Sequence, residues 1–262
     1  MNARALEKAA TYFAAMRRSG IAAAPAPVAM RPPDIAAGYD LQAAAGALLS
    51  GEKGAVCGFK IGCTTAVMQE FLNIDHPCAG LLYEKEVHPA SVTLRLADFV
   101  QVGVECEIAL RLASDLAPQA TPFTRQSVAG AVGAVMAAAE IVDNRYQDYH
   151  AFGIPALIAD DFFSAGAVIG PGCNPADVDL EKAVGITRID GQQVGSGLGA
   201  AVMGHPLNAL AWLANQKAER SEGLKAGDLI MTGSVVATQW IDGPCVVSCT
   251  VLPLGAVQIS FI

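Results

Sequence analysis

Two glutamates separated by one residue are the strongest indication of chemistry in this 262-residue sequence. Glu105 and Glu107 flank Cys106 in a run that alternates apolar and polar residues. In a β-strand, residues two apart point to the same face about 7 Å apart, so both carboxylates can converge on one point. Like charges there repel each other unless a cation lies between them. A solvent-exposed strand face is the competing interpretation of the pair.

A third carboxylate, Glu140, directly follows a stretch rich in valine, alanine, glycine and methionine. Burial of a carboxylate in such surroundings is expensive unless the group is paired or bound to a metal. No histidines have suitable spacing, so an all-oxygen ligand set predicts a hard cation such as Mg²⁺ or Mn²⁺. An ion pair of Glu140 with Arg145 or Lys60 is the alternative explanation.

Lys60 and the run from Thr232 to Ser234 each have two interpretations. Lys60 lies between Phe59 and Ile61 in a strand-like run, where it either extends outward to solvent or faces a polar pocket. The run from Thr232 to Ser234 follows a predicted strand. It could bind a carboxylate through hydroxyl and backbone N–H groups, or form an ordinary turn at the end of the strand.

The elements that must position these residues follow from hydrophobic periodicity. Residues 3–19 have helical spacing, and a second helix is predicted near residues 39–50. Residues 100–112 alternate strictly, which predicts a strand with the glutamate pair on its polar face. A helix is expected from about Ser127 to Ala139, followed by a short strand-like run from Glu140 to Asp143.

The C-terminal third is predicted to consist of glycine-punctuated strands around one helix. This helix begins at Pro206, and His205 before it is assigned a turn or capping role. Gly195 to Gly199 superficially match a dinucleotide fingerprint, but Pro206 follows too soon, so we interpret them as turn glycines. Further strands are predicted near residues 228–233, 245–252 and 256–262. Because regular βαβ alternation is absent, an α+β fold is favoured over a doubly wound sheet.

Composition and charge narrow the classes of function. Hydrophobic residues make up 53% and charged residues 16%, against about 25% charged in an average soluble domain, which predicts a globular protein. The net charge is −8 and no basic cluster exceeds Arg17-Arg18, so a nucleic-acid partner is not expected. No apolar run suits a membrane span or a secretory signal. Seven cysteines without a Cys-x-x-Cys pair predict free thiols in the cytoplasm.

Five short motifs then occur in a fixed order along the chain: Gly58-Phe-Lys-Ile-Gly62, Glu105-Cys-Glu107, Ala139-Glu-Ile-Val-Asp143, Gly204-His-Pro-Leu-Asn-Ala209 and Gly227-Asp-Leu-Ile-Met-Thr-Gly233. From about residue 55 onward, the sequence resembles the 2-keto-4-pentenoate hydratase and 2-oxo-3-hexenedioate decarboxylase branch of the fumarylacetoacetate hydrolase superfamily. The resemblance implies a homo-oligomer with a mixed β-roll or sandwich core and flanking helices. It also implies a smaller N-terminal α/β portion over residues 1–90 and a catalytic domain over residues 91–262.

The resemblance implies roles for the candidate residues. Glu105, Glu107 and Glu140 would hold Mg²⁺ or Mn²⁺, and the cation would chelate the 2-oxo and carboxylate oxygens of a short 2-oxo acid. Lys60 matches the lysine of the family's Lys-Ile-Gly motif and would donate a proton or pair with a carboxylate. Asp75 resembles an acidic position that we assign to proton transfer. Substrate contacts are expected from Asp160, Ser164, Thr232 and Ser234.

Two segments depart from the hydratase pattern. Asp160-Asp-Phe-Phe163 stands where Asp-Asn-Ala-Ser is expected, and Ser234-Val-Val-Ala237 stands where Ala-Leu-Gly-Pro is expected. Both fall in segments expected to face the substrate. Phe162 and Phe163 either create a more apolar pocket or belong to the core.

The implied function is a metal-dependent lyase of aromatic-compound catabolism, foremost one that hydrates 2-hydroxypenta-2,4-dienoate to 4-hydroxy-2-oxopentanoate. A cation that stabilises developing enolate charge serves water addition and the decarboxylation of 2-oxo-3-hexenedioate equally well, so the chemistry does not separate the two. A hydrolase that cleaves a C–C bond of acylpyruvates is a further alternative, although no convincing Glu–His pair is evident. A catalytically silent, metal-binding oligomer is the alternative from another class.

Overall fold

The computed structural model describes residues 1–70 and 72–262 of the chain. Its α-helices are α1 (Ala3–Arg18), α2 (Ile35–Lys53), α3 (Ala66–Leu72), α4 (Arg125–Ala129), α5 (Tyr149–Phe152), α6 (Ile154–Ala159) and α7 (Pro206–Glu219). Its strands are β1 (Val56–Gly62), β2 (Cys78–Tyr83), β3 (Val87–Pro89), β4 (Ser91–Leu94), β5 (Val102–Leu112), β6 (Val132–Asp143), β7 (Ser164–Ile169), β8 (Val184–Ile189), β9 (Gln192–Leu198), β10 (Leu229–Ser234), β11 (Gln239–Trp240), β12 (Cys245–Leu252) and β13 (Gly255–Phe261).

The strands form two sheets that pack against each other. The larger sheet has the order β2-β1-β10-β5-β6-β7-β3, with β11 paired to β5, and the smaller sheet has the order β4-β13-β12-β8-β9. Parallel and antiparallel pairs occur together, since β1 runs parallel to β10 while β5 runs antiparallel to β6. Two mixed sheets with flanking helices confirm the predicted α+β fold.

Apolar and polar residues alternate along β5, which lies in the middle of the larger sheet. Val104, Cys106 and Ile108 are fully buried on one face, where the two sheets meet. The Cys106 thiol lies 3.8 Å from the backbone carbonyl of Thr250 on β12. Burial of an apolar side chain such as Val104 or Ile108 stabilises the folded state by about 1.5–3 kcal/mol. The opposite face of the strand is therefore left to the polar residues, including both glutamates of the pair.

Helices cover the outer parts of the larger sheet. α2 packs against α1, α6 and β2. α7 packs against β10 and begins at Pro206 as expected. The His205 Nδ1 atom accepts the Leu207 N–H at 3.0 Å, which confirms the predicted capping role.

One predicted helix is wrong. Residues 127–139 contain only the end of α4, and from Val132 onward the chain is β6, which continues to Asp143. β6 is buried on both faces, between β5 and β7 within its sheet and beneath β13. A continuous apolar run of this kind has no period that distinguishes a buried strand from a buried helix. The short run predicted at 140–143 is the end of the same strand.

The glycines at 195–199 lie mostly in a strand and not in a turn. β9 includes Gly195 and Gly197 and pairs with β8. A Cβ atom on Gly197 would lie 1.8 Å from the Val235 backbone oxygen. Glycine is therefore required because another backbone passes close to this strand.

The larger sheet contains strands from both sides of residue 90. β1 pairs with β10, and β3 pairs with β7. The division into residues 1–90 and 91–262 stays a prediction. Among the residues that the structure describes, no helix is both long enough and apolar enough to cross a membrane.

Candidate metal centre and cavity

Two neighbouring strands bring the three predicted metal ligands together. Glu105 and Glu107 lie two residues apart on β5, and Glu105 pairs directly with Glu140 on β6. Cross-strand partners share a face of the sheet, so the three carboxylates project from the same face. One oxygen atom of each lies within 4.8 Å of the others. The convergence expected from the sequence is thus present in the fold.

Hydrogen bonds hold two of the carboxylates but leave oxygen atoms free. The Gly233 N–H donates to Glu107 Oε2 at 2.9 Å, and the Thr238 hydroxyl donates to Glu105 Oε1. Glu107 is 0% exposed and Glu140 is 1% exposed. The Oε1 atoms of both nevertheless have no hydrogen-bond partner among the described residues. In the described part of the chain, Glu140 Oε1 has only the Lys60 ammonium, 3.3 Å away, as a charge partner, and Glu107 Oε1 has none. Buried oxygens without hydrogen bonds are costly, so the two atoms point to a ligand that completes the site.

Electrostatics favour the same conclusion. Burial raises the pKa of Glu107 well above its usual range, and the charges of Glu140 and Glu105 add to the rise. Burial also raises the pKa of Glu140 to about 7, although the Lys60 ammonium opposes this. Without a bound cation, the three carboxylates are therefore not all ionised at neutral pH. A divalent cation relieves both the burial cost and the mutual repulsion of the carboxylates.

The donor set fits Mg²⁺ or Mn²⁺. Hard cations prefer carboxylate oxygens, and Mg²⁺ in particular is bound through a few carboxylates while water or substrate fills its other positions. The three glutamates supply such a set on one face of the sheet.

Lys60 lies beside the cluster. It pairs with Met231 on β10, which pairs in turn with Ala109 on β5, so Lys60 shares the face of the glutamates. Its Nζ atom is 3.3 Å from Glu140 Oε1, and the residue is 3% exposed. Burial lowers the pKa of this ammonium, but the three glutamates outweigh the effect and leave the pKa raised. Lys60 therefore faces a buried polar site, as a cation, and does not extend to solvent.

A cavity of about 410 Å³ leads outward from this cluster. Lys60 and Glu105 mark its buried end, whereas Val67 and Trp240, 74% and 43% exposed, mark its mouth. The wall between them is largely apolar and includes Ile61, Met68, Val142, Phe162, Phe163, Val235 and Val236. The arrangement therefore suits a ligand with one charged end and an apolar body.

The residues predicted to contact the substrate do not all line the cavity. Ser234 lines the cavity, and its hydroxyl donates to the Val236 backbone oxygen. The Thr232 hydroxyl donates to the Ile108 carbonyl at 2.8 Å, and the Ser164 hydroxyl lies 3.4 Å from a backbone oxygen. Thr232 and Ser164 are not among the described residues that line the cavity. Their contact with substrate stays a prediction.

Asp160 lies in a buried ionic network. It is 0% exposed and accepts hydrogen bonds from Arg145 at 3.0 and 3.1 Å and from the Tyr146 hydroxyl at 2.6 Å. Arg145 therefore pairs with Asp160, and Lys60 is the cation that pairs with Glu140. Asp75 lies in an exposed bend between α3 and β2, and its proposed proton transfer stays a prediction.

Sequence reasoning did not identify the two groups that donate hydrogen bonds to the predicted ligand carboxylates, Gly233 and Thr238. The backbone N–H of Gly233 does bind a carboxylate, as one interpretation of this segment allowed, but the carboxylate is Glu107 of the protein itself. Gly233 has φ of 115°, and a Cβ atom there would lie 2.3 Å from Thr64 Oγ1. Thr238 gave no signal, because it precedes a strand of two residues that has no readable period.

The model of the fumarylacetoacetate (FAA) hydrolase C-terminal family matches residues 80–256. The chain belongs to this family. It is 39% identical over 189 residues to a 2-hydroxyhexa-2,4-dienoate hydratase of Comamonas testosteroni, covering 71% of this chain and 70% of that protein. It is 33% identical over 225 residues to a 2-keto-4-pentenoate hydratase of Paraburkholderia phymatum, covering 85% of this chain and 81% of the relative.

Solved structures show the same architecture. A 4-oxalocrotonate decarboxylase from Pseudomonas putida G7, complexed with magnesium and adipate, superposes with a TM-score of 0.93. The two proteins share 24% sequence identity, and the match covers 100% of this chain and 99% of that one. The match confirms the fold expected of a fumarylacetoacetate hydrolase family member.

Proposed function

We propose that this chain is a Mg²⁺- or Mn²⁺-dependent lyase that adds water to 2-hydroxypenta-2,4-dienoate and forms 4-hydroxy-2-oxopentanoate. The observation that carries the proposal is the buried cluster of three carboxylates beside Lys60, at the closed end of an apolar cavity. The 39% and 33% identities to proteins named as hydratases support the choice of reaction.

The charged end of the cavity would bind the 2-oxygen and the carboxylate of the acid. Glu105, Glu107 and Glu140 would hold the cation, which when bound supplies positive charge for those two substrate groups. The Lys60 ammonium, 3.3 Å from Glu140, adds a second positive charge and a hydrogen-bond donor at the same end. The apolar wall covers the diene and limits the water that reaches it.

The reaction moves protons in two stages. First, the proton of the 2-hydroxyl group leaves and a proton is added at C5. Water then gives its hydroxide to C4 and its proton to C3. The Lys60 ammonium, at the charged end of the cavity beside Glu140, would stabilise negative charge on the 2-oxygen. Asp75 is our proposed proton-transfer residue, and turnover by an Asp75→Asn variant tests it.

The test uses protein stripped of metal and then supplied with Mg²⁺ or Mn²⁺. We expect the dienol absorbance of 2-hydroxypenta-2,4-dienoate to disappear only when the metal is present, without release of CO₂. A Glu107→Gln variant should lose this activity, whereas Glu219→Gln, at an exposed position at the end of α7, should keep it.

Other outcomes would contradict the proposal in different ways. Release of CO₂ from 2-oxo-3-hexenedioate in place of hydration would identify a decarboxylase, which is the second candidate. Cleavage of acylpyruvates would identify a C–C hydrolase. A metal-dependent rise in melting temperature without turnover of any of these acids would identify a silent metal-binding protein.

We also propose a cytoplasmic homo-oligomer. All seven cysteines are free, which supports a reducing compartment. Val194, Leu198, Val246 and Leu252, all on the smaller sheet, are between 39% and 51% exposed, which supports a subunit contact. Light scattering during size-exclusion chromatography measures the mass, and a value of one chain, 27.0 kDa, would contradict the oligomer.

A further inference from the structure

The charges of the cavity wall are unevenly distributed. Among the lining residues that the structure describes, Lys60 is the sole cation, and it is already paired with Glu140. The remaining polar lining groups are neutral apart from Glu105, and include Thr64, Asn144 and Thr238. A second carboxylate on a substrate would therefore lie in the outer cavity without a positive partner, which is costly in an apolar site.

The apolar wall contains an unusual backbone segment. Asp161, Phe162 and Phe163 have φ of 57°, 47° and 69°, three consecutive left-handed residues that are not glycine. Such conformations persist only where the surrounding structure holds them. Here the segment follows Asp160, which is bound to Arg145, and Arg17 of α1 forms an ion pair with Asp161. We call residues 161–163 the aromatic elbow.

The aromatic elbow is packed on both sides. The Phe162 ring lies 5.2 Å from Lys60 Nζ and 5.6 Å from the Phe163 ring. The Phe163 ring packs edge-on against Tyr146 at 5.1 Å and against Tyr149 at 5.7 Å. Phe162 is 4% exposed, so its ring closes the wall next to the charged end. The wall is therefore preorganised and does not depend on a ligand to form it.

The cavity is also larger than a five-carbon acid requires. Its volume of about 410 Å³ falls in the range of about 300–1,000 Å³ typical of pockets that bind drug-sized ligands. A substrate that ends at C5 would leave the space between the aromatic elbow and Trp240 without apolar contacts. An alkyl or aryl substituent would fill it.

We propose, on the basis of the function proposed above, that the preferred substrate is a 2-hydroxy-2,4-dienoate with an apolar substituent at its far end. The aromatic elbow determines this specificity, with Phe163 as the residue that contacts the substituent. Dicarboxylic dienoates are excluded because the outer cavity offers no cation to them.

Binding of saturated analogues tests the proposal without turnover. Calorimetry in the presence of Mg²⁺ would compare 2-oxopentanoate, 2-oxo-5-phenylpentanoate and 2-oxohexanedioate. We expect the phenyl compound to bind about tenfold more tightly than 2-oxopentanoate. We expect the dicarboxylate to bind at least about tenfold more weakly than 2-oxopentanoate.

Two variants assign the effect to residues. Phe163→Ala should weaken binding of the phenyl compound about tenfold and leave 2-oxopentanoate nearly unchanged, and Phe163→Leu should restore part of the loss. Val67→Arg, at the cavity mouth, should tighten binding of the dicarboxylate about fivefold. Val28→Arg, at a position 81% exposed and not among the described cavity-lining residues, is the matched control and should not.

The same comparison with dienoate substrates separates the two proposals. The three substrates are the 2-hydroxy-2,4-dienoates with no substituent, with a phenyl group and with a second carboxylate at the far end. If all three are turned over and the dicarboxylate is preferred, or the phenyl compound is not, the specificity is overturned and the hydratase function stands. Absence of turnover with every dienoate, including the five-carbon acid, would overturn the proposed function and the specificity together.

Discussion

The electrostatics of the carboxylate cluster make a prediction about the stability of the metal-free protein. The pKa of Glu140 is raised from 4.5 to about 7, mainly by burial. The folded state therefore keeps a proton on Glu140 that the unfolded chain releases near pH 4.5. Because the folded state binds more protons in this window, its stability falls as the pH rises from about 4.5 to 7. At about 1.36 kcal/mol per pKa unit, the loss is about 3 kcal/mol.

A Glu140→Gln variant removes this titration and keeps the shape of the side chain. We expect the metal-free variant to lose about 3 kcal/mol less stability than the parent between pH 4 and pH 8. Urea unfolding at several pH values measures both slopes, and titrating groups away from the cluster cancel in the difference. Glu107, whose pKa the Glu140 charge raises, changes the difference in the same direction. Added Mg²⁺ should oppose the loss in the parent, because the cation binds the ionised carboxylates in competition with protons.

Two results would refute this reasoning. Equal slopes in the two proteins would show that Glu140 does not titrate in this range. A parent that gains stability relative to the Glu140→Gln variant as the pH rises would show that the buried carboxylates already have enough positive charge around them without a metal.

Three further changes test other parts of the structure. Lys60→Ala should lower turnover at least about a hundredfold. It should not weaken Mn²⁺ binding, because the substitution removes a positive charge beside the site. A calorimetric loss of Mn²⁺ affinity that matches the loss of turnover would contradict this. Asp160→Asn should cost about 3–5 kcal/mol in urea unfolding, because buried Arg145 loses its charged partner and Arg17 keeps only Asp161. The exposed control, Asp177→Asn, should not. Gly197→Ala should lower stability by about 1–3 kcal/mol, whereas Gly130→Ala, where a Cβ meets nothing within 4 Å, should be nearly neutral; equal melting temperatures for these two variants would contradict the close approach to Val235.

The sequence predicted the cluster of three carboxylates because the necessary information is local. Strict alternation from 100 to 112 identified β5, and the two-residue spacing placed Glu105 and Glu107 on one face. Glu140 stood out because a carboxylate follows an apolar run. The family and the fold class that the five motifs implied are confirmed.

The strand register, the structure of residues 127–139 and the long-range pairings depend on information that is not local in the sequence. The direct pairing of Glu105 with Glu140 follows from the register of β5 and β6, which no sequence period encodes. The predicted helix at 127–139 was wrong because β6 is apolar on both faces. The buried pairing of Asp160 with Arg145 links residues fifteen positions apart through a fold that had to be known first. The same holds for Thr238, whose hydroxyl reaches Glu105 from the loop before β11.

The central claim is that Glu105, Glu107 and Glu140 together hold a divalent cation. A crystal soaked with Mn²⁺ and measured at a wavelength where manganese scatters anomalously tests this directly. We predict one strong anomalous peak between the three carboxylates, and its absence in crystals of the Glu107→Gln variant. A peak at other residues, or no peak at a Mn²⁺ concentration that supports turnover, would contradict the account.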